Sequence, residues 1–329
     1  MAINRRTFYF LTAGLLYLLA LTMSTAAAGG GTGGVAEGIV LPAPIAPVAS
    51  DRAAPVAAQV APPGASVGSD TCLACHSDYN QLGAHGRTAN PRTPMATQGC
   101  EACHGPGKAH VDAGGDPALI QNPATLTAAE SSAVCTTCHN RGDHVFWEGS
   151  QHDRRNLTCT TCHSAHSWSS LEHQLKANSV LQTCGTCHRD KVAKLDRSSH
   201  MPVREGKLEC STCHNPHGAQ NVRLLRVGNT VAESCTSCHA EKRGPFLFEH
   251  APVRENCATC HDPHGSGNER SLVAKLPFLC QRCHAHTRHP STIYDATQLT
   301  NTRLYNRGCV NCHSNVHGSN HPSGHTFLR

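Results

Sequence analysis

All twenty cysteines of this 329-residue chain fall into one pattern, Cys-x-x-Cys-His, which occurs ten times. The cysteine pairs are Cys72 and Cys75, Cys100 and Cys103, Cys135 and Cys138, Cys159 and Cys162, Cys184 and Cys187, Cys210 and Cys213, Cys235 and Cys238, Cys257 and Cys260, Cys280 and Cys283, and Cys309 and Cys312. The histidines that follow them are His76, His104, His139, His163, His188, His214, His239, His261, His284 and His313. A disulfide framework would not require a histidine after every second cysteine. Zinc clusters tolerate other spacings and would not fix that offset ten times. The spacing suits a porphyrin attached through thioether bonds. Two thiols on one helical turn can add to the two vinyl groups of a haem, and the next residue is then held under the iron as its proximal ligand. Ten motifs with no cysteine left over predict ten covalently attached haem c groups.

The sixth ligand of each iron must be Met, His or an open position. Beyond the apolar leader only Met95 and Met201 remain, too few for ten irons, whereas fifteen histidines lie outside the motifs. Taken in pairs, the motifs form five dihaem repeats of one plan, motif, His, motif, His, at about 71–115, 134–170, 183–220, 234–267 and 279–320. The distal candidates are therefore His85 and His110, His152 and His166, His200 and His217, His250 and His264, and His289 (or His286) and His317. His144, His173, His286, His321 and His325 are left as spares. Repeats three and four match beyond these positions: "HGAQNVRLL" begins at His217 and "HGSGNERSL" at His264.

Chain reach limits which iron each can serve. His264 lies three residues after His261, so their Cα atoms are at most about 10–11 Å apart. Two imidazole arms on opposite faces of one iron need roughly 12 Å, given metal–nitrogen bonds of about 2 Å. His264, and likewise His217 and His166, is expected to serve a haem other than that of its own motif, most simply the neighbour in the same repeat.

Little ordinary material is available to position these groups. Aromatics make up 4% of the chain, and there are roughly 25 residues per motif. The expected fold is a multihaem cytochrome c: short α-helices and irregular loops wrapped on an elongated file of ten haems, with little or no β-sheet. The haems are then the core. The Pro-His-Gly turns at Pro216 and Pro263 fit such wrapping, since Pro sets the bend and Gly permits close backbone approach. Residues 1–28 read as a signal peptide, with Arg5 and Arg6 before an apolar run and small residues at Ala26 to Ala28. Residues 29–70 are rich in Ala and Pro and read as a disordered tether. Residues 71–329 form the cytochrome domain.

The formal charge is +5, and loss of Arg5 and Arg6 with the leader lowers it to +3. Haem propionates would make the loaded protein acidic, so the basic residues are propionate partners and no nucleic acid is expected as a partner. With two histidines on every iron, no substrate can coordinate. The expected activity is electron transfer at low potential, with no catalytic residues. A multihaem reductase would need an open iron, and none of the ten motifs is altered.

The ten motifs in about 250 residues, the "PVRE" segments upstream of "CSTCHNPHG" and "CATCHDPHG", and the ending "GCVNCHSNVHGSNHPSGHTFLR" resemble the MtrA/DmsE/PioA family of decahaem cytochromes. The resemblance covers nearly all of residues 69–329. It implies a wire of bis-His haems inserted in an outer-membrane β-barrel porin, exchanging electrons with periplasmic and extracellular multihaem cytochromes for metal reduction or iron oxidation. Ten haems of roughly helix width, about 10 Å each, would extend on the order of 100 Å, against about 40–45 Å for a bilayer with its headgroups. The alternative is a soluble periplasmic electron shuttle of similar build.

Overall fold

Every Cys-x-x-Cys-His motif folds into a single helical turn. In all ten, the histidine N–H donates to the carbonyl of the first cysteine at 2.8–3.1 Å. This is the i to i−4 bond of one α-turn, and it puts both thiols and the imidazole on one local frame. The computed structural model describes residues 65–79, 82–221, 223–284 and 308–328. The leader, most of the Ala/Pro stretch, and both His286 and His289 lie outside the described residues.

The two motifs of a repeat are built differently. The first sits at the end of a short helix: Ser69–Leu73, Ala128–Thr136, Val180–Gly185, Val231–Thr236 and Phe278–Gln281. Three of these have side-chain caps. Thr127 and Glu130 bond reciprocally, as do Thr230 and Glu233, and Ser179 accepts from the Gln182 N–H. Such caps satisfy N–H groups that have no partner within the helix. The second motif is itself one isolated turn, at Glu101–His104, Cys159–Cys162, Cys210–Cys213, Cys257–Thr259 and Cys309–Asn311. At His163 and His214 the backbone leaves the turn in an extended conformation, so the helix ends where the ligand begins.

In repeats two to four, a loop after the second motif returns to pin it. The N–H groups of Ser164, Asn215 and Asp262 donate to the carbonyls of Gln174, Leu224 and Ser271 at 2.9, 2.7 and 2.7 Å. Those three acceptors all have positive φ, of 50°, 54° and 53°. Isolated antiparallel bridges join His163 to Leu175, His214 to Leu225 and His261 to Leu272. Among the described residues there are bridges of this kind but no strand. The matching segments at 223–225 and 270–272, "RLL" and "RSL", belong to these loops.

The polypeptide supplies little core of its own. Among the described residues, the buried apolar side chains are Trp147, Leu175 and Leu195. This is the condition expected of a chain whose interior is filled by cofactor. No helix among the described residues is long and apolar enough to cross a membrane, and none of the twenty cysteines is in a disulfide.

Candidate haem sites

Eight proximal histidines each face one predicted distal histidine. The ring centres are 6.3 Å apart for His76 and His110, 6.1 Å for His104 and His166, and 5.9 Å for His139 and His85. They are 6.0 Å apart for His163 and His217, 6.2 Å for His188 and His152, and 6.2 Å for His214 and His264. For His261 and His317, and for His284 and His250, the spacing is 6.1 Å. Metal–nitrogen bonds of about 2 Å, with roughly 1.2 Å more from nitrogen to ring centre on each side, give about 6.3 Å for two imidazoles across one iron. The residues fit haem iron.

The pairing corrects the expectation that partners lie within one repeat. His264 faces His214 of the repeat before its own, His217 faces His163, and His166 faces His104. The histidine between two motifs reaches forward instead: His85 to His139, His152 to His188 and His250 to His284. Neighbouring repeats thus exchange arms. The crossing segments are bonded to each other, with Phe248 and Ser319 exchanging both N–H···O bonds at 2.9 and 3.0 Å. Ser199 and Ser266 do the same at 3.2 and 2.8 Å. His110 has no earlier repeat to reach and pairs with His76 at home.

Glycine makes the backward crossings possible. Gly218 and Gly265, with φ of +125° and +129°, sit so close to the preceding repeat that a Cβ would fall 2.1 Å from the Phe146 carbonyl oxygen and 2.2 Å from that of Lys194. The close approach is to backbone of another repeat.

Two predicted ligands are not joined. His200 and His239 make no ring pair among the described residues. The His200 Nδ1–H donates to the Arg197 carbonyl at 2.7 Å, and its Nε2 lies 3.0 Å from Glu205 Oε1. The partner expected for His313 falls on His289 or His286, outside the described residues.

The motifs also meet one another in chain order. Within each repeat the first cysteines lie together: Cys72 with Cys100, Cys135 with Cys159, Cys184 with Cys210, Cys235 with Cys257, and Cys280 with Cys309. Between repeats the second cysteines do: Cys103 with Cys138, Cys162 with Cys187, Cys213 with Cys238, and Cys260 with Cys283. Each of the eight inner motifs therefore lies near its predecessor through one thiol and near its successor through the other.

Backbone carbonyls orient the imidazoles from behind. The Nδ1–H of His104, His163, His214, His261 and His313 donates to Gln121, His173, Arg223, Arg270 and Thr326. In the first motifs of the repeats the proximal histidine has no such acceptor among the described residues. In three of these sites the distal histidine has it: His110 to Asp116 at 2.8 Å, His152 to Pro216 at 2.7 Å and His250 to Val316 at 3.0 Å. Such bonds fix the tautomer, leaving Nε2 free for the metal. Burial also holds His85, His139, His163 and His217 below the ordinary imidazole value, His217 at about 4. All are neutral at pH 7, the form that binds iron.

The carbonyl acceptors were missed in the sequence because any residue type can supply one. His144, set aside as a spare, was also missed. Its ring lies 4.2 Å from that of His217 and 5.4 Å from that of His139.

The chain is similar to known multihaem proteins. The family described as "Doubled CXXCH motif" matches residues 200–244 and 250–289. The chain is 42% identical over 278 residues to "Multiheme cytochrome MtrA" of Shewanella baltica (strain OS185), covering 80% of this chain and 81% of that protein. It is 26% identical over 159 residues to "Multiheme cytochrome MtrC" of the same strain, covering 38% of this chain and 24% of that one.

Proposed function

Because the chain belongs to the MtrA family of multihaem cytochromes, electron-transfer proteins and not enzymes, we propose that it is the ten-haem wire of an outer-membrane porin–cytochrome complex for extracellular electron transfer. Haem c, bound through the motifs, supplies an iron that takes up and gives up one electron. The ten motif histidines are its proximal ligands. His85, His110, His152, His166, His217, His250, His264 and His317 are distal ligands of the sites they face. By the same interleaving His200 serves the site of His239 once it leaves Glu205, and His289 (or His286) that of His313.

The observation that carries this reading is the proximity of successive motifs in chain order. Each turn lies beside the next through alternating cysteines, so porphyrins attached to them would follow one another in the order of the sequence from Cys72 to Cys309. The interleaved histidine arms hold each link from both sides. With every iron held between two histidines, there is no position for a substrate, and the chain acts only on where electrons reside.

The polypeptide is exported by its 1–28 leader and works at the outer membrane. It offers lipid no apolar helix among its described residues, so it crosses within the polar lumen of a β-barrel porin, where lumen-facing groups need not be apolar. Its partners are that porin together with periplasmic and extracellular multihaem cytochromes. The deciding experiment isolates the haem-staining band near 35.0 kDa from detergent-solubilised outer membranes of the native host. A β-barrel protein present in equal amount is the expected result. A haem protein found wholly in the soluble periplasmic fraction would replace the wire with a shuttle.

A further inference from the structure

The site between His139 and His85 differs from every other paired site in two independent respects. The first is the hydrogen bonding behind the ligands. In seven of the eight pairs, one imidazole Nδ1–H donates to a backbone carbonyl. Neither member of the His139/His85 pair does so among the described residues, and the buried His85 Nδ1 has no hydrogen-bond partner among them. The second is ring orientation. The His139 and His85 planes are 85° apart, whereas the other seven pairs range from 9° to 55°.

A third histidine stands beside this pair. His144 stands edge-on to His139, with planes 65° apart, and at the same time lies against His217. Its turn is held firmly. The Asp143 carbonyl accepts from the Asn215 side chain at 2.8 Å, and the Asp143 carboxylate pairs with Arg226 at 2.8 Å. His144 is thus wedged between a ligand of one site and a ligand of the next.

Both departures act on the iron in a known direction. An imidazole whose Nδ1–H donates to a carbonyl gains basicity and favours the ferric state. An imidazole without that bond is a weaker donor and raises the reduction potential. Perpendicular ligand planes leave two iron d orbitals nearly equal in energy, which gives a ferric haem an unusually large principal g value. Near-parallel planes split those orbitals and give a smaller one.

We infer that the haem held by Cys135, Cys138, His139 and His85 is the highest-potential site among the paired sites of this chain, with His144 as the positioning residue that sets its ligand geometry. Among these paired sites, an electron moving along the file is held longest at this third position. The inference rests on the paired histidines being iron ligands but not on the barrel.

The test is an EPR-monitored redox titration of the purified holoprotein, with dithionite as reductant and ferricyanide as oxidant. The expected result is one ferric signal with a large principal g value that is lost first on reduction, before the near-parallel signals. In His85→Met that signal alone should vanish, and a methionine-to-iron absorption band should appear. In His144→Ala its g value should fall towards the others. A uniform set of near-parallel signals, or a large-g signal that is lost last or survives His85→Met, would overturn the inference. Absence of any low-spin bis-histidine signal would overturn instead the ligand assignment beneath it.

Discussion

His217 belongs to the third repeat, yet its ring lies 6.0 Å from that of His163 in the second, with the planes 21° apart. One side chain thereby serves two ends. It completes a site on the repeat before its own, and it ties the two repeats together. His264 to His214 and His317 to His261 repeat the device. In a chain with so little apolar core, the proposed ligation would make each such crossing fasten covalently anchored cofactor to a distant stretch of backbone.

Removing one arm should therefore open one iron and loosen one junction. In His217→Ala the haem attached at Cys159 and Cys162 should lose its sixth ligand and turn high-spin, while the others stay low-spin. The visible and EPR spectra of the holoprotein would show this as about one haem equivalent of the total. Proteolysis should cut faster between repeats two and three. A spectrum with no high-spin fraction would mean that His217 binds no iron.

The crossings also predict a glycine requirement. Gly218→Ala brings a Cβ to 2.1 Å from the Phe146 carbonyl oxygen at φ of +125°. Strain of this kind costs on the order of 1–3 kcal/mol. Gly267→Ala, a few residues beyond the equivalent Gly265, meets no atom within 4 Å and should change stability by less than about 0.5 kcal/mol. Thermal unfolding of the two variants beside the parent measures the contrast. Equal melting temperatures would show that repeat three does not approach repeat two so closely.

Much of this architecture was legible in the residues, for a physical reason. Haem attachment needs two thiols and an imidazole within one turn, so the whole of Cys210 to His214 is written in five consecutive letters. The placement of histidines between and after the motifs likewise offered ten distal candidates, and the structure sets eight of them, all but His200 and His289, opposite a proximal histidine. Which iron each would meet was not legible. That depends on the path of backbone between repeats, and chain reach could forbid His264 beside His261 without choosing His214. The acceptors behind the ligands left no signal, because Arg223 and Arg270 contribute only their carbonyls. His144 carried the same letter as the ligands and fell outside their register.

The pinning loops make a further prediction. Asn221 Oδ1 accepts from the Leu225 N–H at 2.8 Å and the Arg223 N–H at 3.2 Å, and its Nδ2 donates to the Leu225 carbonyl at 3.1 Å. It holds the turn that presents the Arg223 carbonyl to His214. Asn221→Ala should cost about 1–3 kcal/mol, the scale for leaving part-buried polar groups unpaired. Freed from its acceptor, His214 becomes a weaker donor, so the haem of Cys210 should shift to higher potential. The same potentiometric titration detects this as one component moved upward. A lowered melting temperature with unchanged potentials would separate loop stability from ligand tuning.

At the start of the described domain, Glu101 gathers the chain ahead of the first motif. Its carboxylate accepts from the N–H groups of Val67 at 3.1 Å, Gly68 at 3.2 Å and Gly107 at 2.8 Å, and from the Ser66 hydroxyl. Burial alone would raise its pKa, but these four donors outweigh it and hold the carboxyl below the usual glutamate range. A carboxylate with a depressed folded value contributes stability above its unfolded pKa, about 4.3 for glutamate. That contribution is lost as pH falls through the folded value. The segment at 65–68 should therefore stay docked at neutral pH and release only below the ordinary carboxylate range. Glu101→Gln should release it at every pH. Hydrogen exchange at the Val67 and Gly68 amides, followed from pH 7 down to about 3, distinguishes the two. Protection in the parent that is indifferent to pH, or protection retained in Glu101→Gln, would show that the carboxylate does not hold the segment.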